Sequence, residues 1–122
     1  MMAGDYVRRS VAEFVGTFAL IFIGAGSVIY GDIVGVALAH GLVIAVMVSA
    51  VGLISGGFFN PGITIGFLIT RRLAPSLGAV YLVVQFGAAA LAALLLRWVL
   101  PATARTGSHW PSVCVSTAPV VR

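Results

Sequence analysis

The chain has 122 residues, of which 61% are hydrophobic and 8% charged, and its mean hydropathy is +1.15. Soluble domains carry about 25% charged residues, so this composition excludes a water-facing globular surface and leaves no length for a soluble domain beside a small membrane bundle. The net charge of +4 comes from seven arginines and no lysine, four of them in two pairs beside apolar runs (Arg8-Arg9 and Arg71-Arg72), a pattern that fixes membrane topology and is no nucleic-acid footprint.

Residues 1–10 precede the first apolar run and carry the first arginine pair. The run itself, about 11–30, is longer than the apolar core of a secretory leader, contains Glu13 and has no cleavage site, so it is expected to be a transmembrane helix. Gly31-Asp32 closes it. A second run, about 33–54, is interrupted only by the polar residues His40 and Ser49. A further long run, about 78–100, is broken by Gln85 and Arg97 and ends at Pro101. Each of the three suffices to cross about 30 Å of hydrocarbon.

Between the last two lies a piece of different character. Asn60-Pro61 opens it and Arg71-Arg72 closes it, leaving a helix over 61–70 that reaches only about 15 Å, half of a bilayer core. Proline at the first helical position forfeits no intrahelical bond, and an asparagine before it can cap the free N–H groups. With Arg8 and Arg9 in the cytoplasm, a spanning 61–70 would carry Arg71 and Arg72 outside, whereas a segment that dips in and returns keeps both pairs inside. The second arrangement is the expectation: an all-α membrane protein with three transmembrane helices and one re-entrant half-helix, its N-terminus cytoplasmic. Residues 102–122, rich in Ser, Thr and Pro, are expected to be a loop-like or disordered tail.

Irregular backbone at membrane depth has to be covered by protein or line a wet cavity, so the loop from Ser55 to Asn60 implies an interior pathway or a partner that covers it. A half-helix N-terminus at the bilayer middle presents free N–H groups and about half a positive charge. Asn60 adds an amide that donates to a passing water oxygen, while a cation meets an unfavourable potential. Gln85, inside a span, needs a polar partner.

These residues resemble a known family. Ala12-Glu13-Phe14-Val15-Gly16-Thr17-Phe18 is similar to the first-helix signature of the major intrinsic protein (aquaporin) family, and Ala37-Leu38-Ala39-His40-Gly41-Leu42 to its second helix. Ser55-Gly56-Gly57-Phe58-Phe59-Asn60-Pro61-Gly62-Ile63-Thr64-Ile65-Gly66 is similar to its first pore loop, and Tyr81 to Gln85 fits the third helix. The likeness covers about residues 11–101, the N-terminal half of an inverted-repeat bundle.

The resemblance implies that Asn60, Pro61 and Gly62 contact solute at the pore centre; the alternative for Asn60 is a plain helix cap in a packed bundle. The resemblance implies that His40 lies at the outer selectivity constriction, where its small polar ring resembles the vacuolar plant members; the alternative, compatible with it, is a buried histidine bonded to a neighbouring carbonyl. For Glu13 it implies bracing of the pore loop through backbone N–H groups; the alternatives are an interfacial charge that reaches headgroup water and a pairing with Arg9 one helical turn away. It makes Gln85 a bundle-facing residue that touches the loop and Phe58 a vestibule residue. Two residues depart from the family pattern. Gly62 replaces the usual alanine after Asn-Pro, and Phe58 stands where many members have histidine.

The family has two inverted halves, each with a pore loop, and this sequence supplies one. The expectation is therefore a channel component for water or small neutral solutes, a truncated half that does not conduct alone and that needs a second half or homologous channel subunits, with tetramers implied by the resemblance. The alternative is a non-conducting membrane protein that associates with full-length channel subunits and modulates them. A small dual-topology exporter would need Glu13 as its ion site, and the pore-loop motif beside it argues against that class. Inverted pairing of two copies is opposed by the arginine pairs. No catalytic set, metal-ligand spacing or phosphate loop is present, and the single Cys114 builds no disulfide or cysteine cluster. The expectation is no enzyme, no cofactor and no metal, with a plasma or inner membrane as the site.

Overall fold

In hydrocarbon the backbone has no water to bond, so it must satisfy itself within helices. The computed structural model, which describes residues 3–30 and 32–100, follows that rule: α1 (Ala3–Ala19), a π-helical segment (Leu20–Ala25), α2 (Gly26–Tyr30), α3 (Ile33–Ser55), α4 (Pro61–Ile69) and α5 (Pro75–Val99). Among the described residues there is no strand. The stretches Gly4–Ile29, Ile33–Ser55 and Pro75–Val99 are long and apolar enough to cross a membrane. The nine residues of α4 rise only about 13 Å, so it is the half-length element. The tail expected over 102–122 lies outside the described residues.

Two boundaries differ from the sequence expectation. The first helix starts at Ala3, about two turns before 11, because its charged turns continue the helix past the apolar zone; Arg9 there bonds Asp5 at 3.2 Å. The last long helix starts at Pro75 instead of 78, with the proline at its first turn, where the missing N–H matters least.

The packing inverts the soluble pattern. The buried residues of α1 are Ala12, Glu13, Gly16 and Thr17, small or polar, while Val7, Val11 and Val15 are exposed. On α5 the buried stripe is Gly78, Tyr81, Gln85, Ala88 and Ala92, at alternating spacings of three and four, with Val83, Phe86, Leu94 and Trp98 outside. Small residues let helices approach closely, and lipid or further protein takes the large apolar faces. At Gly78 a β-carbon would collide with the Leu68 side chain, which fixes how closely α4 lies on α5.

Helix ends are closed by local chemistry. Asp32 caps α3 by accepting the Gly35 N–H at 2.6 Å, and Gly56, at φ +104°, ends it. The far end of α4 is a Schellman turn: the Arg72 N–H bonds the Phe67 carbonyl at 2.9 Å and the Arg71 N–H bonds Leu68 at 3.1 Å. Arg71 sits at φ +57°, the position glycine usually holds, at a backbone cost of about 1 kcal/mol.

Candidate functional site: a braced loop and half-helix

The loop 56–60 turns the chain from the end of α3 back into the bundle. Three of its residues take left-handed backbone: Gly56 (φ +104°), Gly57 (φ +67°) and Phe59 (φ +47°). Glycine does so freely, but a bulky residue must be held there. Phe59 is held twice. Its N–H donates to Glu13 Oε2 at 2.7 Å, and its ring lies so close over Gly16 that a β-carbon on that residue would fall on the ring atoms.

Glu13 is fully buried, and both its oxygens are used. Oε1 accepts the Phe58 N–H at 3.0 Å; Oε2 accepts the Phe59 N–H and the Gln85 side-chain amide at 2.8 Å. Gln85, fully buried on α5, turns its other contacts to Thr64 of α4: its Nε2 lies 3.0 Å and its Oε1 3.1 Å from Thr64 Oγ1. The Thr64 hydroxyl also lies 3.1 Å from the Asn60 carbonyl. One connected polar network thus ties α1, the loop, α4 and α5 inside an apolar bundle, where buried polar groups are tolerated only when satisfied. A second tie stands beside it. The Tyr81 hydroxyl donates to the Ser55 carbonyl at 2.7 Å, taking up a free acceptor at the end of α3.

Asn60 is the N-cap of α4, and its Oδ1 accepts the Gly62 N–H at 2.7 Å. That bond assigns the oxygen, so the amide N–H₂ is the part left to donate elsewhere. Asn60, Gly62 and Ile63 are exposed and Pro61 is half-buried, so the N-terminus of α4 is open on one side. It carries the partial positive charge of a helix N-terminus together with an outward amide donor. Such an end suits a neutral hydrogen-bonding molecule.

Glu13, Phe58, Asn60, Pro61, Gly62 and Gln85, all singled out from sequence, therefore gather around one loop. Phe58 is half-buried, its ring 4.6 Å from that of Phe67 and 5.8 Å from that of Tyr81. His40 stands elsewhere, about 22 Å along α3 from Ser55. Its Nδ1 lies 2.9 Å from the Val36 carbonyl, which makes it the donor nitrogen, and its Nε2 faces Gly24 of the π-helical segment. A β-carbon at Gly24 would lie 2.7 Å from that nitrogen. Arg9, weighed as a partner for Glu13, is paired with Asp5.

Sequence reading missed Thr64, Tyr81, Gly16 and Gly24 as parts of this arrangement. Thr64 was detectable, since it follows the capping Asn60 by one turn on a half-helix otherwise made of apolar residues and glycine. Thr17 was not. Its hydroxyl is buried without a hydrogen-bond partner among the described residues.

The family model for the major intrinsic protein matches residues 2–121. The chain is 40% identical over 93 residues to a glycerol uptake facilitator protein-like 6 of Lactiplantibacillus plantarum, covering 75% of this chain and 43% of that protein. It is 41% identical over 98 residues to an aquaporin Z of Photorhabdus laumondii (74% and 42% covered). It is 40% identical over 104 residues to nodulin-26 of Glycine max (80% and 38% covered). The chain spans less than half the length of these curated relatives.

Proposed function

Since the chain belongs to the major intrinsic protein family, we propose that it forms one wall of a passive pathway for water or small neutral solutes, and that it conducts only beside a second half or homologous channel subunits. The observation that carries this reading is the open N-terminus of α4. Asn60 caps a half-length helix whose loop hangs on buried Glu13 and Gln85, and its amide is turned away from the cap. Rigid bracing is what a selectivity element requires, because a donor that moves by an ångström no longer discriminates. Asn60, Pro61 and Gly62 are assigned to solute contact, Glu13 and Gln85 to bracing, Phe58 to the vestibule and His40 to the outer constriction. In this reading the protein is a channel and not an enzyme. The arginine pairs favour a cytoplasmic N-terminus, a plasma or inner membrane is the assigned site, and the family resemblance favours tetramers.

Stopped-flow light scattering on liposomes carrying the purified chain tests this. The chain alone is expected to match empty vesicles. Co-reconstitution with the C-terminal half of a homologous channel should raise water permeability with a low activation energy, and Asn60→Asp should abolish the gain by placing charge where a neutral donor belongs. Permeability from the chain alone would overturn the requirement for a second half. No gain with any second half would leave the non-conducting, channel-associated alternative.

A further inference from the structure

We propose that the arginine end of the bundle binds the phosphate of an anionic phospholipid headgroup, with Arg71 and Arg72 as its main ligands and Arg8 beside them. This goes beyond the channel reading and does not depend on it. The first observation is the Schellman turn that ends α4. Its left-handed position, where glycine is the usual and strain-free occupant, holds Arg71 at φ +57°. Topology alone does not account for this. A positive charge at Leu73 or Ala74 would serve the inside bias equally well and leave the turn free for glycine. A strained residue that bears a charged side chain is a reason to look for what that side chain meets.

The second observation is the charge balance at that end. Tyr6 Oη lies 3.0 Å from Ser76 Oγ, which brings the first turns of α1 and α5 together and puts Arg8 at the same end as Arg71 and Arg72. All three arginines are exposed. Asp5 is already paired with Arg9 at 3.2 Å, Glu13 is buried under the loop, and Asp32 caps α3 at the other end of the first long helix. Among the described residues no carboxylate is ion-paired with Arg8, Arg71 or Arg72. Adjacent guanidinium forks match a phosphate, which takes parallel N–H bonds from each.

The third observation selects a lipid over a free anion. Ile69 and Val11, within one helical turn of Arg71 and Arg8 and on the membrane side of them, are 76% and 56% exposed. Acyl chains covering that surface place their headgroup at the guanidinium level, just where α5 starts its crossing at Pro75.

The test is native mass spectrometry of the detergent-solubilised chain titrated with dioctanoyl phosphatidylglycerol, dioctanoyl phosphatidylcholine and inorganic phosphate. Phosphatidylglycerol should bind saturably, and the other two should neither bind nor displace it. The double variant Arg71→Gln/Arg72→Gln should lose at least about tenfold in affinity, and Arg97→Gln, at the opposite end of α5, should bind as the parent does. Arg71→Gly supplies the discriminating readout. It should weaken lipid binding while its melting temperature without lipid is no lower than the parent's, because glycine suits the turn. The proposal is overturned by unchanged binding in the double variant, by an equal loss in Arg97→Gln, by equal binding of both lipids, or by displacement with inorganic phosphate at matched concentration.

Discussion

Glu13→Gln keeps the size of a side chain that is fully buried and removes one of its two acceptor oxygens. Three donors converge on the carboxylate: the Phe58 and Phe59 N–H groups and the Gln85 amide. A glutamine oxygen takes at most the Phe59 N–H and the Gln85 amide, and its own N–H₂ then points at the Phe58 N–H, donor against donor. One buried donor left unpaired costs about 1–3 kcal/mol, and each surviving bond falls from the charged to the neutral range, a further loss of about 1 kcal/mol. The expected destabilisation is about 3–5 kcal/mol, read from unfolding in mixed micelles with added dodecyl sulfate and followed by circular dichroism. Exchange of the Phe58 amide proton should accelerate more than that of α3 amides. The swap Glu13→Gln/Gln85→Glu is the sharper variant, because it restores the side-chain pair but still leaves two backbone donors facing an amide. It should not regain parent stability. Stability of Glu13→Gln within about 0.5 kcal/mol of the parent, or full recovery by the swap, would refute the argument that the loop hangs on this carboxylate.

Other consequences are equally direct. Gly16→Ala should destabilise by about 1–3 kcal/mol through overpacking against the Phe59 ring, and Phe59→Leu in the same chain should recover part of it; equal melting of Gly16→Ala and the parent contradicts the seat. Gly24→Ala should displace the His40 imidazole, shifting its ring ¹⁵N resonances and changing its rate of modification by diethyl pyrocarbonate; superimposable resonances would show that the ring does not rest on Gly24. Thr17→Val removes a buried hydroxyl that has no partner, so stability should stay within about 1 kcal/mol of the parent or rise; a larger loss would reveal a bound water or an undetected acceptor.

Much of the architecture was legible because membrane physics is severe. The three crossings follow from run length, and the half-helix follows from Asn60-Pro61, the arginine pairs and a segment too short to cross. Gln85 was legible as a buried amide that required a partner, and the family resemblance supplied the loop as the place to look. What escaped reading depends on contacts between distant segments. Nothing near Leu20–Ala25 in sequence signals a π-helical turn; it lies opposite the His40 ring and can be seen only with α3 in place. The left-handed Phe59 is likewise invisible locally, since its conformation is held by Glu13, 46 residues away, and by the bare backbone of Gly16. Arg9 could have paired in either direction along its helix. It chose Asp5 because Glu13 points inward to the loop.

The network at Glu13 also has a timetable. The loop groups it binds are made 45 and 46 residues after it, and Gln85 arrives 72 residues after it. A ribosome that has released residue 70 into the translocon has produced a half-helix with its N-terminus capped but nothing from α5 to secure Thr64. During that interval the dipping segment rests on the Glu13 bonds and its glycine-rich turn alone. Only when α5 has emerged as far as Gln85 does the amide clasp both neighbours. Insertion of the last span is then the step that locks the loop in place, and a stall between residues 70 and 85 would expose a half-inserted hairpin to quality control at the point where it is least able to hide its polar backbone.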